Sequence, residues 1–226
     1  MTASAPAPET RDRILDAAEA LFGEHGIEAT SMRMIARTAQ ANLAAANYHF
    51  GSKEALIREV FRRRLVELNR RRLQALDALE AEAAGGVLKP SCIVDAFFGT
   101  ALDVAADTAS GGDRFMRLLG RTSVEPHVFV RSFLAEEHVE GVDRFISAFR
   151  RALPDVPREE ILWRFHFMLG ATSYSIAGTD SLRLFAGSFD DADPVRLRAR
   201  LMAFMLGGMR APLPEFAGDC GERSLQ

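Results

Sequence analysis

The sequence predicts an all-α protein, with a small N-terminal helix-turn-helix unit followed by a larger helical domain, about nine or ten helices in total. Three observations carry this. Leu, Ala, Arg, Glu and Phe recur at three- and four-residue spacing, the period of a helix face. The alternation of apolar and polar residues that marks a half-buried strand is almost absent. Gly and Pro fall between the periodic stretches, at Gly26, Gly85-Gly86, Pro126, Pro154, Pro157 and Pro212.

Taken in order, the first helix is expected from about Thr10 to His25, with Thr10 as N-cap, Ile14, Leu15, Ala18, Leu21 and Phe22 on one face, and Gly26 as the stop. Thr30 and Ser31 offer caps for a short helix over Met32–Ala39. After Gln40 and Ala41, Asn42 is placed to cap a third helix, Leu43–His49, and two short helices across so brief a turn make a helix-turn-helix. Beyond Gly51 and Ser52 a long amphipathic helix starts at Lys53 and ends near Gly85. The remaining helices are expected at Ser91–Ala106, Asp113–Thr122, His127–Leu153, Arg158–Ala177 and Pro194–Arg210.

The composition narrows the function. At 226 residues and 24.9 kDa, 48% apolar and 26% charged, the chain has the balance of a globular protein with its own core. No run of 18 apolar residues occurs, so no membrane span is expected, and residues 1–8 have neither the basic start nor the apolar stretch of a signal peptide. These features point to the cytoplasm. Cys92 and Cys220 stand far apart with no Cys-x-x-Cys, so neither a disulfide framework nor a zinc site is indicated. A net charge of −3 gives no global sign of nucleic-acid binding. Any such claim rests on local charge.

That local evidence lies between residues 30 and 72. The stretch Met34-Ile-Ala-Arg-Thr-Ala-Gln-Ala-Asn-Leu-Ala-Ala-Ala-Asn-Tyr-His-Phe-Gly-Ser-Lys-Glu-Ala-Leu56 resembles the helix-turn-helix signature of the TetR family of transcriptional regulators. Ile14 to Phe22, Gly26 and Thr30-Ser31 support it upstream. The resemblance implies a homodimer on a double-stranded DNA operator, with residues 9–55 as the DNA-binding domain and 56–212 as the effector-binding and dimerisation domain. The residues themselves agree. Ala44 and Ala45 allow close approach to a groove, while Asn42, Asn47, Tyr48 and His49 carry groups able to reach base edges or phosphates. By analogy with the family, Tyr48, His49 and Lys53 are the expected backbone clamps, with Ser31 and Arg33 as secondary contacts. Lys53, Ser52 and the N–H groups of the long helix's first turn are expected to face one phosphate. From Lys53 to Arg72, eight basic residues stand against three acidic ones, part of that charge being open to a phosphate role. Gln40 stands where the family turn usually has Gly, and Asn47 where an aromatic residue is common, so the turn and the reading head both depart from the pattern.

The second domain is rich in Phe and Met, which suit an adaptable apolar cavity and equally an irregular helical core. Polar residues set within the apolar helices favour a pocket, because a buried Arg needs an anion or a carboxylate. The expected lining is Phe97, Phe115, Arg117, Arg121, Phe129, Phe133, Phe149, His166, Met168 and Tyr174, with Arg121 or His166 holding a head group. The segments around Arg117 and His166, with Asn42 to Lys53, look like the fatty-acid-responsive PsrA branch of the family, which implies a long-chain fatty acid or acyl-CoA as effector and a repressor it releases. A non-lipid apolar effector, or a helical lipid carrier, are the alternatives. Gly170, Ala171, Ser175, Leu201, Met205 and Met209 on the last two long helices are the expected dimer contacts. No cofactor or metal is called for, and no His follows a Glu at the spacing of a di-metal carboxylate bundle; nothing points to an enzyme.

Overall fold

The computed structural model describes residues 9–124, 141–177 and 193–215, and every regular element among them is helical. Helices α1 (Thr10–His25), α2 (Met32–Thr38) and α3 (Leu43–Phe50) form the N-terminal unit, and α4 (Lys53–Ala83) leads away from it. Then come α5 (Pro90–Val94), a π-helical turn (Asp95–Gly99) and α6 (Thr100–Ala106), which run on without a break in helical backbone. Next are α7 (Gly112–Val124), the helical residues 141–152 (α8), α9 (Arg158–Ile176) and α10 (Pro194–Met209). Of the expected helix 127–153, residues 127–140 lie outside the described residues.

Local chemistry explains most boundaries. Gly26 ends α1 at φ +84°, its N–H bonded to Phe22 O. The start of α1 differs from expectation: Glu9 is the cap residue and makes no side-chain bond, and Thr10 is already helical. Ser31 Oγ, Asn42 Oδ1 and Ser52 Oγ accept from Met34, Ala45 and Ala55 N–H at 3.2, 2.6 and 3.1 Å, starting α2, α3 and α4. Thr30 is no cap. Its buried hydroxyl is shared between Leu21 O and Gly26 O, fastening the loop after α1. The long helix ends at Ala84, which takes the left-handed conformation itself, ahead of Gly85.

One apolar core runs through the described helices. Ile14, Ala18 and Phe22 of α1 meet Ile35, Ala36, Ala46, Phe50, Leu56 and Val60 in the N-terminal unit. Below it, Leu65, Leu68 and Leu76 of α4 continue into Phe97, Phe98, Phe145, Phe149 and Phe165. Helix α7 packs on both α1 and α9, and α9 packs on α10. Cys92 is a half-buried free thiol, and Cys220 lies outside the described residues.

The α7–α9 crossing depends on a missing side chain. A Cβ at the buried Gly120 would stand 2.7 Å from Ser173 O and 3.3 Å from the Ala177 nitrogen, both backbone atoms that have no rotamer to yield. Gly120→Ala is therefore expected to destabilise the fold by about 1–3 kcal/mol through overpacking, read as a lowered urea midpoint with an unchanged slope.

Candidate nucleic-acid interface and effector region

The turn between α2 and α3 closes as a Schellman motif: Ala41 N–H bonds to Ala36 O at 2.9 Å, and Gln40 N–H to Arg37 O at 3.1 Å. Gln40 holds the position that usually needs Gly, at φ +52°. The motif is built in full despite a strain on the order of 1 kcal/mol. It delivers α3 with Ala46 and Phe50 buried, while Leu43, Ala44, Asn47, Tyr48 and His49 are exposed and Ala45 is half-buried. The tripeptide Tyr48-His49-Phe50 thus divides. Phe50 joins the core with the Arg11 guanidinium 5.4 Å from its ring centre, whereas Tyr48 is 86% exposed and meets only the edge of His49, ring centres 5.4 Å apart. A small-faced helix carrying a protruding phenol beside an imidazole is a surface for a polar, groove-shaped partner.

Two expected readers are also builders. Asn42 Oδ1 and Ser31 Oγ serve as caps, leaving the Asn42 amide N–H groups and the Ser31 O–H as their outward donors. Arg33 is exposed near the start of α2. Lys53 is half-buried and its Nζ reaches Glu28 O at 3.5 Å, which ties the start of α4 to the loop before α2. The first turn of α4 also holds a carboxylate next to Lys53. The Glu54 carboxyl lies there, held below its ordinary pKa first by its own backbone N–H and then by Ser52.

Most of the basic run on α4 is engaged within the fold. Arg62 pairs with Glu59, and Arg70 and Arg71 with Glu67 at 2.6 and 2.7 Å. Hydrogen bonds from those two guanidiniums pull the Glu67 carboxyl down to about 2 from 4.5, so this contribution to stability is complete above pH 4.5 and fades as pH falls towards 2. Arg63 pairs with Asp16 at 2.7 Å and with Glu19 at 2.8 Å. Arg64 Nε also donates to Glu19, at 2.9 Å, and Arg64 Nη2 reaches Ser110 O at 2.7 Å. Arg72 is buried.

This arrangement matches known proteins along most of the chain. The model of the bacterial regulatory proteins, tetR family, matches residues 14–60, and that of the tetracyclin repressor-like C-terminal domain matches residues 95–208, half of the chain. The chain belongs to the TetR family. It is accordingly a DNA-binding transcriptional regulator rather than an enzyme. The HTH-type transcriptional regulator BetI of Agrobacterium fabrum is 37% identical over 91 residues, which are 40% of this chain and 42% of that protein's length. The fatty acid degradation regulator FadR of Bacillus halodurans superposes with TM-score 0.60 at 14% identity, covering 92% of this chain and 100% of that one. The ketosteroid transcriptional regulator KstR2 of Mycobacterium tuberculosis gives 0.60 at 19%, covering 92% and 98%. A TetR-family regulator from Bordetella parapertussis gives 0.62 at 20%, covering 92% and 100%. These structural likenesses show the TetR fold.

The effector region departs from the sequence reading. Phe97, Phe149 and Met168 are buried, with Phe97 4.8–4.9 Å from its ring neighbours Phe98, Phe145 and Phe165, but Phe115 pairs instead with Phe61 at 5.8 Å, nearer the N-terminal unit. Arg117, Arg121, His166 and Tyr174 are exposed rather than turned into an apolar pocket. Periodicity is the reason. Phe115, Met116, Leu118 and Thr122 take the inner face of α7, which puts Arg117 and Arg121 outside, Arg117 paired to Asp113 at 2.7 Å. Ile161, Arg164, Phe165, Met168, Thr172 and Ile176 take the inner face of α9, so His166 and Tyr174 face out. Phe129 and Phe133 lie outside the described residues. No group of three or more potential metal ligands occurs among the described residues, and no described helix is long and apolar enough to cross a membrane.

The expected dimer contacts also shift. Leu201, Met205 and Met209 are buried inside the chain against α9, whereas Gly170 is exposed and Ala171 and Ser175 are half-buried. The outer face instead carries Trp163, Phe167 and Phe204, at 50%, 63% and 68% exposure. The sequence reading missed these because four-residue apolar spacing on a helix with two apolar faces does not say which face is inner. It also missed the buried Glu19, whose signal was an acid on the apolar side of α1. Glu19→Gln leaves Arg63 and Arg64 without their shared counter-charge and is expected to cost roughly 2–4 kcal/mol, measured as a fall in the denaturation midpoint.

Proposed function

We propose that this TetR-family chain is a repressor that binds a palindromic operator as a homodimer and is released from it by a small apolar effector, such as a long-chain fatty acid or acyl-CoA. In this reading residues 9–55 read DNA in the cytoplasm, and residues 56–212 bind the effector and pair the two copies. The observation that carries it is the outer face of α3, where Tyr48 stands almost fully exposed beside His49 and Asn47, above Ala44. A phenol, an imidazole and an amide held outward on a short, well-capped helix with a small-residue face can reach phosphates and base edges in a groove. Tyr48, His49 and Lys53 then bind phosphates, with Ser31 and Arg33 beside them, and Asn42, Ala44, Ala45 and Asn47 lie against the groove.

The homodimer is supported by the apolar stripe on the outside of α9 and α10. Trp163, Phe167, Gly170 and Tyr174 recur at helical spacing, and no neighbouring atom stands within 4 Å of a Cβ built at Gly170, Gly207 or Gly208. Such a face is self-complementary about a twofold axis, which sets two α3 helices against successive major grooves about 34–36 Å apart. The apolar effector is supported by the PsrA-like segments and by the cluster of Phe97, Phe98, Phe145, Phe149 and Phe165, since burial of each methylene contributes about 0.8 kcal/mol.

Fluorescence anisotropy with the upstream region of the chain's own gene is expected to show specific binding. Tyr48→Ala with Lys53→Ala should weaken it at least about tenfold and lower the log–log salt slope by about 1 per protomer. Equal affinity in the double variant would overturn the assignment. Light scattering is expected to give twice the 24.9 kDa chain mass, falling to one chain mass for Phe167→Asp with Phe204→Asp.

A further inference from the structure

Three arginines meet where α8 turns into α9. Phe145, Ile146, Ala148 and Phe149 take the inner face of α8, which leaves Ser147, Arg150 and Arg151 outside. The turn 153–157, closed by Val156 N–H on Leu153 O at 3.1 Å, then brings Arg158 at the start of α9 back beside them. These residues line a cavity of about 580 Å³, with Pro154, Val156 and Pro157 as its apolar wall.

Arg151 already has a partner, since Nη2 donates to Glu80 Oε1 of α4 at 2.6 Å, and Glu80 also accepts from Arg144 at 2.7 Å. Arg150 and Arg158 differ. Among the described residues no ion pair or hydrogen bond engages either guanidinium. Asp155 and Glu159 are exposed close by in sequence but do not line the cavity, so every charged group on its wall is a cation. The first turn of α9 adds to the positive potential, because its N-cap, Pro157, supplies no side-chain acceptor for the N–H groups that follow.

Cations gathered on one concave wall with no acid between them attract an anion. The rest of the wall says which kind. A bare inorganic anion would leave Pro154, Val156 and Pro157 unused, and the volume lies in the range of small-molecule sites. A planar guanidinium takes phosphate oxygens through paired N–H bonds, so two free forks suit two linked phosphates and the apolar wall suits a ring attached to them. Duplex DNA held by α3 does not reach this corner. Glu80, to which Arg151 is tied, stands twenty-seven positions along α4 from Lys53, about 40 Å at 1.5 Å per residue.

We propose that the α8–α9 corner binds a nucleoside diphosphate, with Arg150 and Arg158 on its phosphates and its base against Pro154, Val156 and Pro157. The site is separate from the DNA-reading surface and independent of the apolar-effector reading.

Isothermal titration of the full chain, free of DNA and of divalent metal, with ADP, adenosine and pyrophosphate tests it. ADP is expected to bind at least about tenfold more tightly than either of the other two, since it alone meets both the guanidiniums and the apolar wall, and to weaken as salt is raised. Arg150→Ala with Arg158→Ala removes two exposed side chains that the described fold does not engage. It should leave the denaturation midpoint in place and lower ADP affinity at least about tenfold, with each single variant between. Pyrophosphate binding as tightly as ADP would reduce the corner to a patch for any anion and overturn the assignment. Adenosine binding as tightly as ADP, undiminished ADP affinity in the double variant, or no binding of ADP at all overturns it equally.

Discussion

The structure depends on one buried carboxylate. Glu19 lies on the apolar side of α1, where a lone charge is costly to keep, and it is retained because Arg63 and Arg64 of α4 both donate to it. Arg64 then reaches Ser110 O in the loop ahead of α7. Three segments distant in sequence are thereby joined at one point. Because α1 also packs on α2 and α3, any change in the angle between α1 and α4 changes how α3 is presented. Two of the basic residues of α4, Arg63 and Arg64, serve to build this joint.

A second principle is that the surface proposed to meet DNA is made largely by side chains that also hold the backbone. Ser31, Asn42 and Ser52 cap three successive helices, and Lys53 reaches back to Glu28 O. A group held by such bonds is already ordered before any partner arrives, so little conformational entropy remains to be lost on association. Tyr48 is the exception, since among the described residues only the edge of His49 stands against its ring. Positioning and contact are therefore divided between neighbouring residues of one short helix.

The helical class, the short-helix unit and most boundaries were legible in the sequence, because caps, glycines and periodicity act locally. Asn42 and Ser31 could be read as caps without any knowledge of tertiary contacts, and Gln40 stood out through the family resemblance as the residue in a position usually held by Gly. The inner and outer faces of α9 and α10 were not legible. Both carry apolar residues on two sides, and Leu201, Met205 and Met209 differ from Phe204 only in what lies opposite them. The charges were misread for a related reason: whether an Arg faces solvent, a carboxylate or a ring depends on a partner tens of residues away, as with Arg63 and Asp16, Arg64 and Ser110, or Arg72 and Phe97.

Helix α4 runs unbroken from Lys53 to Ala83, with neither Gly nor Pro inside it. Lys53 and Arg72 are nineteen positions apart on it, a span of about 28 Å at 1.5 Å per residue, so pivoting the rod by about 5° at the Arg72 end carries the Lys53 end sideways by about 2.5 Å. Hydrogen bonds to base edges fail within about 1 Å of misplacement. A lever of this length turns a side-chain-sized adjustment in the interior into loss of register at the tip, with no hinge required along the way.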